Sequence, residues 1–146
     1  MGHMRFPSRR SPAYHALMRV VTPPLARLVE RAGRDPDILA VVLFGSRARG
    51  EGSAGSDTDV CLVLTSAVPP GLPSARKRLQ FSGDAGIDLV VFQELPLPVR
   101  SRVLREGQVL FARDEEALYA VALTTVRDFE LFRPIYHAYL DQVGRD

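Results

Sequence analysis

The chain has 146 residues, a formal net charge of +2, and 46% hydrophobic against 25% charged residues. That length predicts one domain, able to bury roughly two thirds of the surface its unfolded form exposes. The ordinary composition argues against a fibrous or disordered chain, no apolar run approaches the ~20 residues that cross a bilayer, and the near-neutral charge gives nucleic-acid binding little support.

Met1 to Met4 (MGHM) reads as an expression remnant ahead of a native start at Met4. Arg5, Arg9 and Arg10 are followed by a mixed segment and not by an apolar signal core, so a cytoplasmic location is expected. Residues 1–13 are taken as this remnant plus a flexible basic arm, and 14–146 as a single domain ending in helices. Leu17, Val20, Val21, Leu25, Leu28 and Val29 keep helical spacing, and Thr22-Pro23 forms a cap and first-turn proline for a helix running to about Ala32. ILAVVLF, residues 38–44, is a continuous apolar run expected to be a strand buried on both faces. Residues 60–64 predict a second strand, and the proline-rich 66–74 a loop with one helical turn after it. IDLVVF, residues 87–92, predicts a third strand carrying one acid, Asp88. A helix from Leu97 closes at Gly107, a short strand covers 108–111, and a longer helix starts near Asp114, which Pro134 should kink or break. The single cysteine, Cys61, lies inside an apolar strand and is expected to be a packed core thiol.

The chemistry concentrates between Val41 and Leu64, VVLFGSRARGEGSAGSDTDVCLVL. Residues two apart on a strand share a face about 6 to 7 Å from one another, so Asp57 and Asp59 project together. If 87–92 pairs beside that strand, Asp88 joins them, and three carboxylates in one place call for a hard cation such as Mg²⁺, as one or two ions. Gly45 lets backbone approach a phosphate closely, Ser46 adds a hydroxyl, and Arg47 and Arg49 stand where they could neutralise a pyrophosphate leaving group. Lys77 is the sole lysine among the basic residues; the arginines suit phosphate binding, or reflect nothing more than codon usage.

Gly45-Ser46, ten intervening residues and Asp57-Thr58-Asp59 resemble the GSx10DxD signature of the DNA polymerase β-like nucleotidyltransferase superfamily, with Asp88 where that superfamily places its third acid. The string GSRARG…SDTDVCLVL is similar to the minimal nucleotidyltransferases, the MNT group that includes the MntA-type antitoxins. The resemblance implies an α/β (α+β) nucleotidyltransferase fold, a small mixed β-sheet flanked by helices. It implies catalytic, metal-binding roles for Asp57, Asp59 and Asp88, phosphate binding by Gly45 and Ser46, and ATP as the nucleoside triphosphate substrate. It further implies transfer of AMP to a tyrosine hydroxyl of a cognate HEPN ribonuclease toxin. No acceptor-holding domain accompanies the motif, which suits a protein acceptor. The rival readings are an antitoxin that neutralises its toxin by binding alone, and adenylylation of a small molecule. Self-association is left open. The ending RPIYHAY carries an arginine and an H-x-Y like those of HEPN ribonucleases, but Arg133 and His137 stand too close together, so His137 and Tyr139 are read as helix-face residues.

Overall fold

The computed structural model describes residues 22–45 and 57–144. The expectations for the basic arm, for Leu17, Val20 and Val21, and for Ser46, Arg47 and Arg49 lie outside the described residues.

The first described helix, α1 (Pro23–Arg34), starts where the sequence marks it: Thr22 Oγ1 accepts from Leu25 N at 3.4 Å, and proline occupies the first turn. Leu25, Leu28 and Ala32 fall on one face and are buried. The strand β1 (Ile38–Phe44) is buried throughout except for half-buried Phe44. It pairs antiparallel with β2 (Thr58–Leu64) on one side and with β4 (Gln108–Ala112) on the other, while β3 (Ile87–Val91) runs parallel to β2, giving the order β3-β2-β1-β4. The unbroken apolar run of β1 follows from its interior place. Alternate side chains enter two different cores, and neither face meets water.

One core joins Val41, Leu43, Val60 and Leu62 to α1 and to Phe81 of α2 (Leu72–Phe81). The opposite core joins Val42, Cys61 and Val63 to Val103 and Leu104 of α3 (Leu97–Glu106) and to Leu118 and Ala122 of α4 (Glu115–Val143). A mixed four-stranded sheet with helices on both faces is therefore the architecture, as expected. Cys61 is a core thiol, and burial pushes its pKa well above the ordinary value.

Two expectations are corrected. Where a proline-rich loop and one helical turn were expected, α2 spans ten residues. Its prolines lie before it and in its first turn, where a missing N–H costs nothing, and the Ser74 hydroxyl accepts from Gly71 N at 3.0 Å. Pro134 was expected to kink or break the last helix; it does not break it, and α4 runs on through it to Val143. The carbonyl left without a donor belongs to exposed Glu130, where water can satisfy it.

Two polar devices fix the packing. Lys77 on α2 reaches Asp35 Oδ2 at 2.7 Å and Asp37 Oδ2 at 3.0 Å in the turn between α1 and β1. Burial lifts the Asp35 carboxyl, but the Lys77 hydrogen bond, the Asp37 amide and the charges of Lys77 and Arg113 outweigh it and hold the group below its ordinary value. The bond to Asp35 raises Lys77 in turn, against burial. Arg113, just past β4, donates to the carbonyls of Ala32, Gly33, Asp35 and Ile38, each at 3.0 Å, so this guanidinium closes the C-terminus of α1 and is not free for phosphate.

Candidate active site

The site is assembled at one end of the sheet, where β1 finishes and β2 and β3 begin. Asp59 is opposite Phe44 in the antiparallel pair and opposite Asp88 in the parallel pair. Asp59 precedes Cys61 and Val63 by two and four residues, and Asp88 precedes Val90 by two. Strand alternation therefore puts both acids on the sheet face covered by α3 and α4. Asp57, immediately before β2, continues the same alternation. The parallel register thus brings together two acids distant in sequence, as the motif required.

That register has an anchor. Thr58, between the two acids, is buried on the other face, and its amide donates to Gly86 O at 2.7 Å. The bond ties the turn before β3 to the start of β2, so a slip of β3 would break it and carry Asp88 away from Asp59. Gly83 and Gly86 flank this turn; its role in fixing Asp88 was not legible in the sequence.

Gly45 ends β1 with φ +77°, in the left-handed region. A Cβ placed there would stand 2.3 Å from Asp59 Oδ2 and 3.2 Å from its carboxyl carbon. The Asp59 carboxylate therefore lies directly against the bare Cα of Gly45. Glycine is required twice over, for the turn and for the space. Ser46, Arg47 and Arg49 follow outside the described residues.

Asp59 is half-buried, while Asp57 and Asp88 are exposed. Among the described residues no three or more His, Cys, Asp or Glu side chains are grouped so as to hold a metal ion. The strand register aligns Asp59 with Asp88, and alternation puts Asp57 on the same face, but the three carboxylates do not close into the cluster expected from the sequence; exposure of the outer two acids is what like charges on neighbouring carboxylates favour. The donor set is oxygen only, as hard cations such as Mg²⁺ require, and Cys61 is sealed in the core and offers no soft ligand.

No helix among the described residues is long and apolar enough to cross a membrane. Residues 27–116 match the family described as polymerase beta, nucleotidyltransferase. A protein of Methanocaldococcus jannaschii, named as a candidate protein adenylyltransferase, is 28% identical over 81 residues, 54% of this chain; the chain spans 60% of that curated relative's length. Among solved structures, a toxin–antitoxin crystal structure with AMP-PNP superposes with a TM-score of 0.64 at 18% identity, over 83% of this chain and 96% of the other. A complex of a tri-AMPylated Shewanella oneidensis HEPN toxin with its MNT antitoxin superposes with a TM-score of 0.59 at 15% identity, over 90% and 98% of the two chains. At these identities the two structures establish the shared fold.

Proposed function

The chain belongs to the polymerase beta nucleotidyltransferase family, and we propose that it is an MNT-type antitoxin: a single Mg²⁺-dependent domain that transfers AMP from ATP to a tyrosine hydroxyl of a HEPN ribonuclease toxin. The observation that carries the chemistry is the pairing of Asp59 with Asp88 beside a glycine turn whose bare Cα receives the Asp59 carboxylate. The acceptor is inferred from the structural neighbour in which an MNT antitoxin is complexed with a tri-AMPylated HEPN toxin.

Asp57 and Asp59 would hold Mg²⁺, which when bound supplies Lewis-acid stabilisation of charge on the triphosphate. The turn beginning at Gly45 lets backbone amides and the Ser46 hydroxyl hold the β- and γ-phosphates. Asp88, exposed at the rim of the sheet, receives the proton of the acceptor hydroxyl as that oxygen bonds to the α-phosphorus. The bond from the α-phosphorus to the bridging oxygen breaks and pyrophosphate leaves, its charge assigned to Arg47 and Arg49 for neutralisation. The protein's contribution is alignment and fixed charge, which is where most of the acceleration of phosphoryl-type transfer arises.

The test is to incubate the chain with ATP labelled on the α-phosphate, Mg²⁺ and a HEPN ribonuclease toxin. Label appearing on a tyrosine of that protein, and lost in the Asp57→Ala, Asp59→Ala double variant, supports the proposal. Tight binding without label identifies an antitoxin that acts by occupancy alone. Label on a small molecule only removes the protein acceptor.

A further inference from the structure

The last residue that α4 buries is Thr125. Beyond it, residues 126–143 continue as helix for about 27 Å, and the apolar face that packed on the sheet does not end where the sheet does. Leu131, Ile135 and Tyr139 form one ridge at four-residue spacing, 74%, 67% and 62% exposed. Phe132, Tyr136 and Leu140 form a second beside it, with the Phe132 and Tyr136 rings stacked at 5.7 Å. A projecting helix of this length is marginal in water by itself, and an apolar band this continuous marks a surface that becomes buried.

We propose that a second copy of this chain covers it, the two α4 helices packing antiparallel about a two-fold axis close to Ile135. The inference is independent of the nucleotidyl-transfer reading. Area is the first argument: the exposed part of the two ridges and Val143 amounts to about 600 Å² on one copy and about 1,200 Å² across a symmetric pair, the lower bound for a stable interface. Self-complementarity is the second. Two parallel four-residue ridges present a groove between them, and a two-fold axis seats the ridge of each copy in the groove of the other. Leu131 of one helix then meets the Tyr139 region of its mate. Charge is the third: neither ridge contains a charged residue from Leu131 to Leu140, and on the flank Arg133 is already paired with Glu130 at 2.7 Å, so no like charges are forced together across the axis.

The full chain is tested by light scattering after size exclusion over a hundredfold range of concentration, alone and as the Leu131→Asp, Ile135→Asp double variant. The expected result is twice the 16.1 kDa chain mass for the parent and the single-chain mass for the variant, with matching circular dichroism. Register is read separately by cysteine crosslinking, because Cys61, the sole native thiol, is buried and silent. Ile135→Cys is expected to link to its own copy with a short bis-maleimide, and His137→Cys, two residues on and so about 200° round α4 on its opposite side, at least tenfold less. A parent that stays at the single-chain mass throughout overturns the proposal, whether the chain's own residues 1–21 or an unrelated protein fills the stripe. So does a dimer that survives the double variant, or equal crosslinking at both positions.

Discussion

Replacing Gly45 by alanine isolates the feature on which the site depends. At φ +77° an L-residue pays roughly 1 to 2 kcal/mol of backbone strain. For a domain of this size that lowers the melting temperature by about 3 to 8 °C. The new methyl would also begin 2.3 Å from Asp59 Oδ2, so the carboxylate must retreat by about 1 Å to reach van der Waals separation. A displacement of that size in a reacting constellation costs about 100-fold in turnover. Gly71→Ala is the matched control, because Gly71 has φ +112° but open space where its Cβ would stand. Both variants should melt earlier, and only Gly45→Ala should lose nucleotidyl transfer, measured as labelled acceptor and released pyrophosphate well below either melting temperature. If Gly45→Ala retains transfer within twofold of the parent, the Asp59 carboxylate is not held where the structure puts it and the reasoning fails. Equal loss in both variants would assign the effect to global softening instead.

Three further outcomes are expected. Lys77→Met should destabilise the fold by about 1 to 3 kcal/mol near neutral pH, since it strands Asp35 and Asp37 in a half-buried turn. The Asp35 carboxyl is held below its ordinary 3.8, so its contribution is present above that value and fades as acid carries pH through the folded pKa; Lys77 is raised above 10.5, so its contribution is complete below that value and fades as pH rises through the folded pKa. Urea melts at several pH values should therefore show a gap between parent and variant that is flat from about pH 5 to 9 and narrows at both ends; a constant gap at every pH would contradict this. Gln93→Ala removes a side-chain amide that bonds both the N–H (3.1 Å) and the carbonyl (2.8 Å) of Leu64. It should cost about 1 to 3 kcal/mol without changing nucleotide binding, by denaturant titration and calorimetry. Cys61 should react with iodoacetamide at least about 100-fold more slowly than an exposed thiol and follow the urea unfolding curve; stoichiometric labelling of the native chain would refute its core placement.

The sequence disclosed those parts of the molecule whose signals are local. ILAVVLF read best as an interior strand, Thr22-Pro23 as the opening of a helix, and the spacing from Gly45 to Asp57 and Asp59 pointed to the proposed chemistry without any tertiary information. Asp88 was located because an acid in an otherwise apolar strand needs a reason. What stayed hidden depends on contacts between distant segments. The helix α2 was masked by the prolines that cap it, and the sole lysine gave no hint that it would bridge to Asp35 and Asp37, 42 and 40 positions earlier. Arg113 looked like any other arginine until four backbone carbonyls surrounded it. At Pro134 the local rule allowed for a break that the helix does not make, the unpaired Glu130 carbonyl being exposed to water.

The placement of Asp88 on β3 has a kinetic consequence. β3 is an edge strand: β2 zips it on one side, its residues are mostly half-exposed, and among the described residues no further strand borders the other side. Such strands fray in local openings that cost far less than unfolding the domain. One acid of the proposed site, Asp88, thus rides on a segment able to detach while β1 and β2 stay intact, so readiness for the proposed chemistry is an equilibrium of its own. A ligand that engages Asp59 and Asp88 together acts as a staple on that edge, and the amides of β3 are where its binding should register first, as slowed exchange with solvent deuterium.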